Sequence, residues 1–103
     1  MVHHAGEATR LLRALANPSR LLVLCVLNQG ERSVSQINAE VPVAQSALSQ
    51  HLAVLRKDGL VCTRREAQTI YYRVCPGPAA DILQILHAHY CQPPLDGDSP
   101  CTP

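Results

Sequence analysis

Two kinds of side chain in this sequence could do chemistry. The first is the thiol, at Cys25, Cys62, Cys75, Cys91 and Cys101. Five scattered cysteines without a CxxC pair argue against a secreted disulfide scaffold and against a zinc ribbon. In a reducing compartment such thiols are either inert core or deliberately reactive. Cys25 lies inside LLVLCVL, where the ordinary role is that of a small buried hydrophobe. Cys91 has more context, because His87, His89 and Tyr90 precede it. That cluster fits a metal site, a thiol switch, or a helix end that happens to contain these residues. The negative end of a helix disfavours a thiolate, so Cys91 gains no activation from a helix dipole. Cys62, Cys75 and Cys101 have no comparable surroundings in the sequence and read as structural or incidental.

The second set lies in AQSALSQHLAVLRKDGLV, Ala44 to Val61. At about 100° per residue, Leu48, Leu52 and Leu55 share one helix face, while Gln45, Ser46, Ser49, Gln50 and Arg56 lie on the opposite arc. A merely solvated face would carry the same pattern. Gln and Ser, however, are short, neutral and both donate and accept, so they can enter a DNA major groove and read base edges without first shedding a salt-bridge partner. Arg56 and Lys57 at the far end suit phosphates, which position a protein without specifying sequence. His51 falls on the apolar side, where packing is its expected role. Arg64 and Arg65 stand just before a turn, where a wing would reach a minor groove or phosphates; a charged turn kept soluble is the plainer alternative. Tyr71 and Tyr72 point to opposite faces of one strand, so at least one belongs to the core.

These residues require a particular scaffold. Ala8, Leu11, Leu12 and Leu15 form the stripe of a first amphipathic helix. Asn17-Pro18 breaks it and starts a second, from Pro18 to about Gln29, ending at Gly30. SVSQ, residues 33–36, has the spacing of a capping box opening a short third helix that Pro42 closes. The quoted segment is the fourth. LVCTRRE and TIYYRV read as two strands joined near Ala67-Gln68. A proline-glycine break then leads into a last helix, Ala79 to Cys91. The fold class expected is mainly α with a β-hairpin wing, a winged helix-turn-helix of order α-α-α-α-β-β-α. Residues 1–7 are expected to be a flexible N-terminus, 8–91 the domain, and 92–103 a disordered tail.

Composition narrows the function. At 103 residues, with no Trp, no Phe and three Tyr, the core must be aliphatic, which favours packed helices. A net charge of +1 excludes a strongly basic arm, so any contact with nucleic acid must come from local charge. Between Gln45 and Arg73 the basic residues Arg56, Lys57, Arg64, Arg65 and Arg73 outnumber the acidic Asp58 and Glu66. MVHHAGEATR does not resemble a signal peptide and LLVLCVL is too short to span a bilayer, so a cytoplasmic protein with no membrane partner is expected. A thiol oxidoreductase is disfavoured, since no CxxC lies beside a strand and helix. A winged-helix module that binds protein rather than DNA remains a rival.

The segments LANPSRLLVL, AQSALSQHLAVLRKDGLV, TRREAQTIYY and LHAHYC resemble the ArsR/SmtB family of dimeric bacterial repressors, over residues 8–91. The resemblance implies a homodimeric transcriptional repressor of double-stranded operator DNA, not an enzyme, with no cofactor. Within the family, Cys25 and Cys91 resemble the dithiol pair of the BigR/SqrR/HlyU branch, which senses persulfides or oxidants. It implies a small reactive sulfur or oxidant inducer that cross-links them and releases the DNA. The family's usual metal sites are missing: SVSQINAEV has no cysteine, and Asp81 is followed two residues on by Leu83 rather than histidine. A metal-responsive repressor using His87, His89 and Cys91 is the alternative. The dimer is expected through the first and last helices, whose stripes (Leu11, Leu12, Leu15; Ile82, Leu83, Leu86, Tyr90) exceed what a small core needs.

Overall fold

Asn17-Pro18 sets the corner between the first two helices as its chemistry requires. The computed structural model describes residues 2–90, in which α1 (Ala5–Leu15) ends just before this pair and α2 (Pro18–Asn28) begins at the proline. The Asn17 side chain accepts from the Arg20 amide at 3.1 Å, and Pro18 occupies the first helical position, where its missing N–H costs nothing. Arg20 closes the corner from the other side: its Nε donates to the Ala14 carbonyl at 3.0 Å, satisfying an end of α1 that has no partner within the helix.

After α2 come β1 (Arg32–Ser33), α3 (Val34–Glu40), α4 (Gln45–Lys57), β2 (Val61–Glu66), β3 (Thr69–Val74) and α5 (Pro78–Tyr90). The capping box is present at α3, with Ser33 Oγ accepting from the Gln36 amide and Gln36 Oε1 accepting from the Ser33 amide. Ser33 also ends β1, which adds a third strand to the expected hairpin: the sheet order is β1-β3-β2, all antiparallel, with Arg32 opposite Tyr72 and Ser33 opposite Tyr71. A strand of two residues has no periodicity to read, and the ladder to β3 alone defines it. At the other end of the chain, α1 begins at Ala5 and a 3-10 turn covers Val2–His4, so the helix reaches into the segment expected to be flexible over residues 1–7. The tail, residues 92–103, and Cys91 lie outside the described residues.

The core is aliphatic. Val23, Leu24 and Leu27 of α2, Ile37 of α3, Leu48, Leu52 and Leu55 of α4 and Leu83 of α5 form one buried cluster, joined at the wing root by Leu60 and Val61. Gly59 ends α4 in the left-handed region at φ 74°. The Leu60 amide bonds back to the Leu55 carbonyl at 2.9 Å and the Gly59 amide to the Arg56 carbonyl at 3.1 Å, the paired bonds of a Schellman ending with Leu55 and Leu60 as its buried apolar contact. This ending aims the chain directly from α4 into β2 and so sets the wing against the helix. No single described helix is long and apolar enough to cross a membrane.

Candidate DNA interface and thiol sites

The leucine stripe of α4 is fully committed to the core, which turns the opposite arc outward. Leu48, Leu52 and Leu55 are buried, whereas Gln45, Ser46, Ser49, Gln50, Arg56 and Lys57 are all exposed. None of these six has a side-chain partner among the described residues, so their donors and acceptors are available to a ligand without breaking an internal bond. His51 is half-buried, in keeping with a packing role. The turn between α3 and α4 is held by Asn38, whose amide donates to the Val43 carbonyl at 2.8 Å.

The two wing arginines part company. In an antiparallel pair, residues directly opposite share a face. Val61, Thr63 and Arg65 therefore lie with Ile70, Tyr72 and Val74 on the face that turns toward α4 and the core. Cys62, Arg64 and Glu66 lie with Thr69, Tyr71 and Arg73 on the other. Arg64 is held there on every side. Its Nε donates to both Glu31 oxygens at 2.8 and 2.9 Å, its Nη1 to Glu66 at 2.7 Å, and its guanidinium sits 4.8 Å from the Tyr71 ring centroid. The hydrogen bond from Arg64 holds the Glu31 carboxyl below its usual range, with Arg73 adding to the effect. Both carboxylates in turn push the Arg64 pKa upward. The Arg64 charge is engaged by two carboxylates, while Arg65 is exposed and has no side-chain partner among the described residues.

Sequence reasoning missed three features of this region. Tyr72 lines the groove beside α4, together with Ser49, Arg56 and Lys57. A second groove on the other side of Tyr72 is lined by Gln45, Gln68 and Thr69. Cys62 and Cys75, read as structural or incidental, are joined by a disulfide with a Cα–Cα distance of 5.3 Å. They lie diagonally across the ladder, since Cys62 faces Arg73 and the Cys75 amide bonds to the Leu60 carbonyl. A reader of the sequence could find this pair only after the hairpin register was known.

Of the proposed sensing pair, Cys25 is half-buried on α2 and packs against the core. The helix α2 packs on α5, whose last described residue, Tyr90, directly precedes Cys91. The metal alternative includes Cys91, which lies outside the described residues. Among the described residues no three His, Cys, Asp or Glu side chains gather. His87 and His89, two positions apart on α5, project about 200° apart around the helix, and the His89 ring stands edge-on to Tyr90 at 4.6 Å.

Comparison with known proteins agrees with this architecture. The family model described as bacterial regulatory protein, arsR family, matches residues 17–63. The transcriptional activator HlyU of Vibrio cholerae is 46% identical over 92 residues, covering 89% of this chain and 85% of that protein. The chain belongs to the ArsR family. A biofilm growth-associated repressor of Agrobacterium fabrum is 45% identical, over 90% of this ArsR-family chain and 80% of its own. Among solved structures, HlyU from Vibrio cholerae superposes with a TM-score of 0.84, covering 89% of this chain and all of that one, and the reduced form of HlyU gives the same score. The repressor BigR from Xylella fastidiosa superposes at 0.80 with 38% identity, covering 89% and 94% of the two chains. The fold is therefore a winged helix and the class is transcriptional regulation rather than catalysis.

Proposed function

We propose that this ArsR-family chain is a homodimeric, cytoplasmic repressor that binds double-stranded operator DNA and releases it when reactive sulfur or an oxidant links Cys25 to Cys91. The observation that carries the DNA reading is the unpartnered row Gln45, Ser46, Ser49 and Gln50 on α4, ending in the exposed cations Arg56 and Lys57 and flanked by Arg65 of the wing. Two such helices in a dimer would enter successive major grooves about 34 Å apart. Leu12 of α1 and Ile85 and Tyr90 of α5 support a dimer through these helices, being 55%, 68% and 72% exposed. Leu15 and Leu83, counted in the expected interface stripes, are instead spent in the protomer core.

The sensing step balances with a low-molecular-weight persulfide as the donor. One cysteine thiolate takes the outer sulfur and the donor leaves as its thiol. The second cysteine then attacks the persulfidated one, expels hydrogen sulfide and forms a disulfide. If both cysteines carry a persulfide, the same attack leaves a trisulfide and hydrogen sulfide. The thiols are oxidised and the donor's sulfane sulfur is reduced. A disulfide needs α-carbons within roughly 7 Å; an inserted sulfur reaches further. Because α2 packs on α5, a bridge between them would fix the interface helix against the body that carries α4.

The test is a DNA-release titration with persulfide on Cys25→Ser, Cys91→Ser, Cys62→Ser, Cys75→Ser and Cys101→Ser, with the intact mass recorded at each point. Only the first two should lose release, since a bridge needs both ends. Release by either of them at the wild-type dose refutes the dithiol mechanism. Loss confined to Cys101→Ser moves the sensor to the tail.

A further inference from the structure

We propose that Tyr72 anchors the DNA backbone, its hydroxyl donating a hydrogen bond to a phosphate in the cleft between α4 and the wing. The proposal rests on the DNA-binding reading and adds to it a residue outside the reading helix and outside the charged set. Three observations carry it. Tyr72 alone lines both grooves of the wing face, one of about 480 Å³ against α4 and one of about 400 Å³ toward the wing tip. Its ring packs against the hydrophobic core, while Tyr71 is turned to the opposite face under Arg64. Finally, Tyr72 makes no side-chain hydrogen bond among the described residues, and no described polar side-chain atom is both buried and unpaired, so the hydroxyl opens to the surface.

The chemistry of the cleft selects a phosphate. Its wall on α4 carries Ser49, Arg56 and Lys57 over an apolar floor at Leu52. A DNA strand leaving the major groove for the wing must cross between them, and the groups that meet it are two cations and neutral donors, with no carboxylate in the lining. A tyrosine pinned by its ring has two side-chain torsions to restrain, so it holds a donor in place at less entropic cost than Arg56 or Lys57. Tyr72 would then supply position, and the cations would supply charge.

The two contributions separate experimentally, because a neutral donor displaces no counterion. The probe is a duplex that the wild-type full-length protein selects from a randomised pool, measured against a random duplex over a salt series. Tyr72→Phe keeps the ring and removes only the hydroxyl. It should weaken both duplexes by roughly 10-fold at each salt concentration, leaving the slope of log affinity against log salt at its wild-type value. Arg65→Ala should lower that slope by about one for each phosphate it no longer neutralises. A methylphosphonate scan of the selected duplex should show one linkage per half-site whose neutralisation costs the wild type affinity but costs Tyr72→Phe little. Wild-type affinity in Tyr72→Phe, an altered salt slope, or no phosphate coupled to Tyr72 each overturns the proposal. A fall in melting temperature accounting for the loss overturns it as well. If the wild-type protein selects no duplex, the DNA-binding reading itself is wrong, which is a different result.

Discussion

The Arg64 guanidinium meets the Glu31 carboxylate at 2.7 Å across 33 positions of sequence, joining the wing to the segment that follows α2. Glu66 and the Tyr71 face complete the setting, so the arginine nearest the middle of the wing is a brace of the protomer. Arg64→Ala should therefore leave the salt dependence of DNA binding at its wild-type slope, whereas Arg65→Ala should reduce it. Fluorescence anisotropy over a salt series decides this, and equal reductions in slope would show that Arg64 leaves its carboxylates to meet DNA.

Acid should loosen the same brace. Glu31 has a folded pKa below its ordinary 4.5, so its contribution to stability is complete above that value. It is lost as pH falls through the lowered folded value. Both side chains remain partly exposed, which makes the effect small and salt-sensitive. Urea midpoints of wild type and Glu31→Gln should converge in acid and separate toward neutral pH. A constant gap at all pH values would remove Glu31 from the account.

The Cys62–Cys75 bond closes the wing over a separation of 13 residues. A loop of that size constrains the unfolded chain enough to add up to about 3 kcal/mol. Cys62→Ser and Cys75→Ser should each unfold at lower urea under oxidising conditions, and a reductant should bring wild type down to the same midpoint while leaving the variants unchanged. Equal midpoints for all three in the absence of reductant would mean that the bond does not contribute.

Gly59 turns α4 into the wing at φ 74°, and a Cβ added there meets no atom within 4 Å. The cost of Gly59→Ala is therefore that of the left-handed backbone alone, about 1–2 kcal/mol. Thermal unfolding should show that decrease. Because the same turn aims β2, operator affinity should fall with it even where the protein is fully folded. Unchanged affinity in the folded variant would indicate that the wing is placed by its other neighbours.

Changes on α4 should act differently from changes in the wing. Ser49→Ala and Gln50→Ala should reorder the preference among duplex sequences, each base interaction removed being worth about 1–3 kcal/mol of discrimination. Selection from a randomised pool followed by sequencing measures this directly. An unchanged preference with uniformly weaker binding would reassign both residues to the backbone.

Much of the fold is legible in the sequence where the signal is local. Asn17-Pro18, the Ser33 to Gln36 box and Gly59 each act through bonds spanning a few residues, and each produced the expected boundary. The leucine spacing of α4 likewise separated its buried face from its polar one. β1 escaped notice because two residues carry no period, and its existence depends on Tyr71 and Tyr72 lying alongside. The Glu31–Arg64 brace escaped because nothing near either residue in sequence announces the other.

The sequence by itself determined the five helices, the two strands of the hairpin, the polar row of α4 and the family, since periodicity, caps and motif identity are properties of neighbouring positions along the chain. Only the tertiary structure decided which residues are free to act. It spent Leu15 and Leu83 in the core, paired Arg64 with Glu31 and Glu66, joined Cys62 to Cys75, and left Arg65 and the Tyr72 hydroxyl on the face of the wing that turns toward α4. The physical reason is strand register: successive side chains alternate faces, so a single step along β2 or β3 separates a brace from a group on the α4 side, and the partner strand decides which is which.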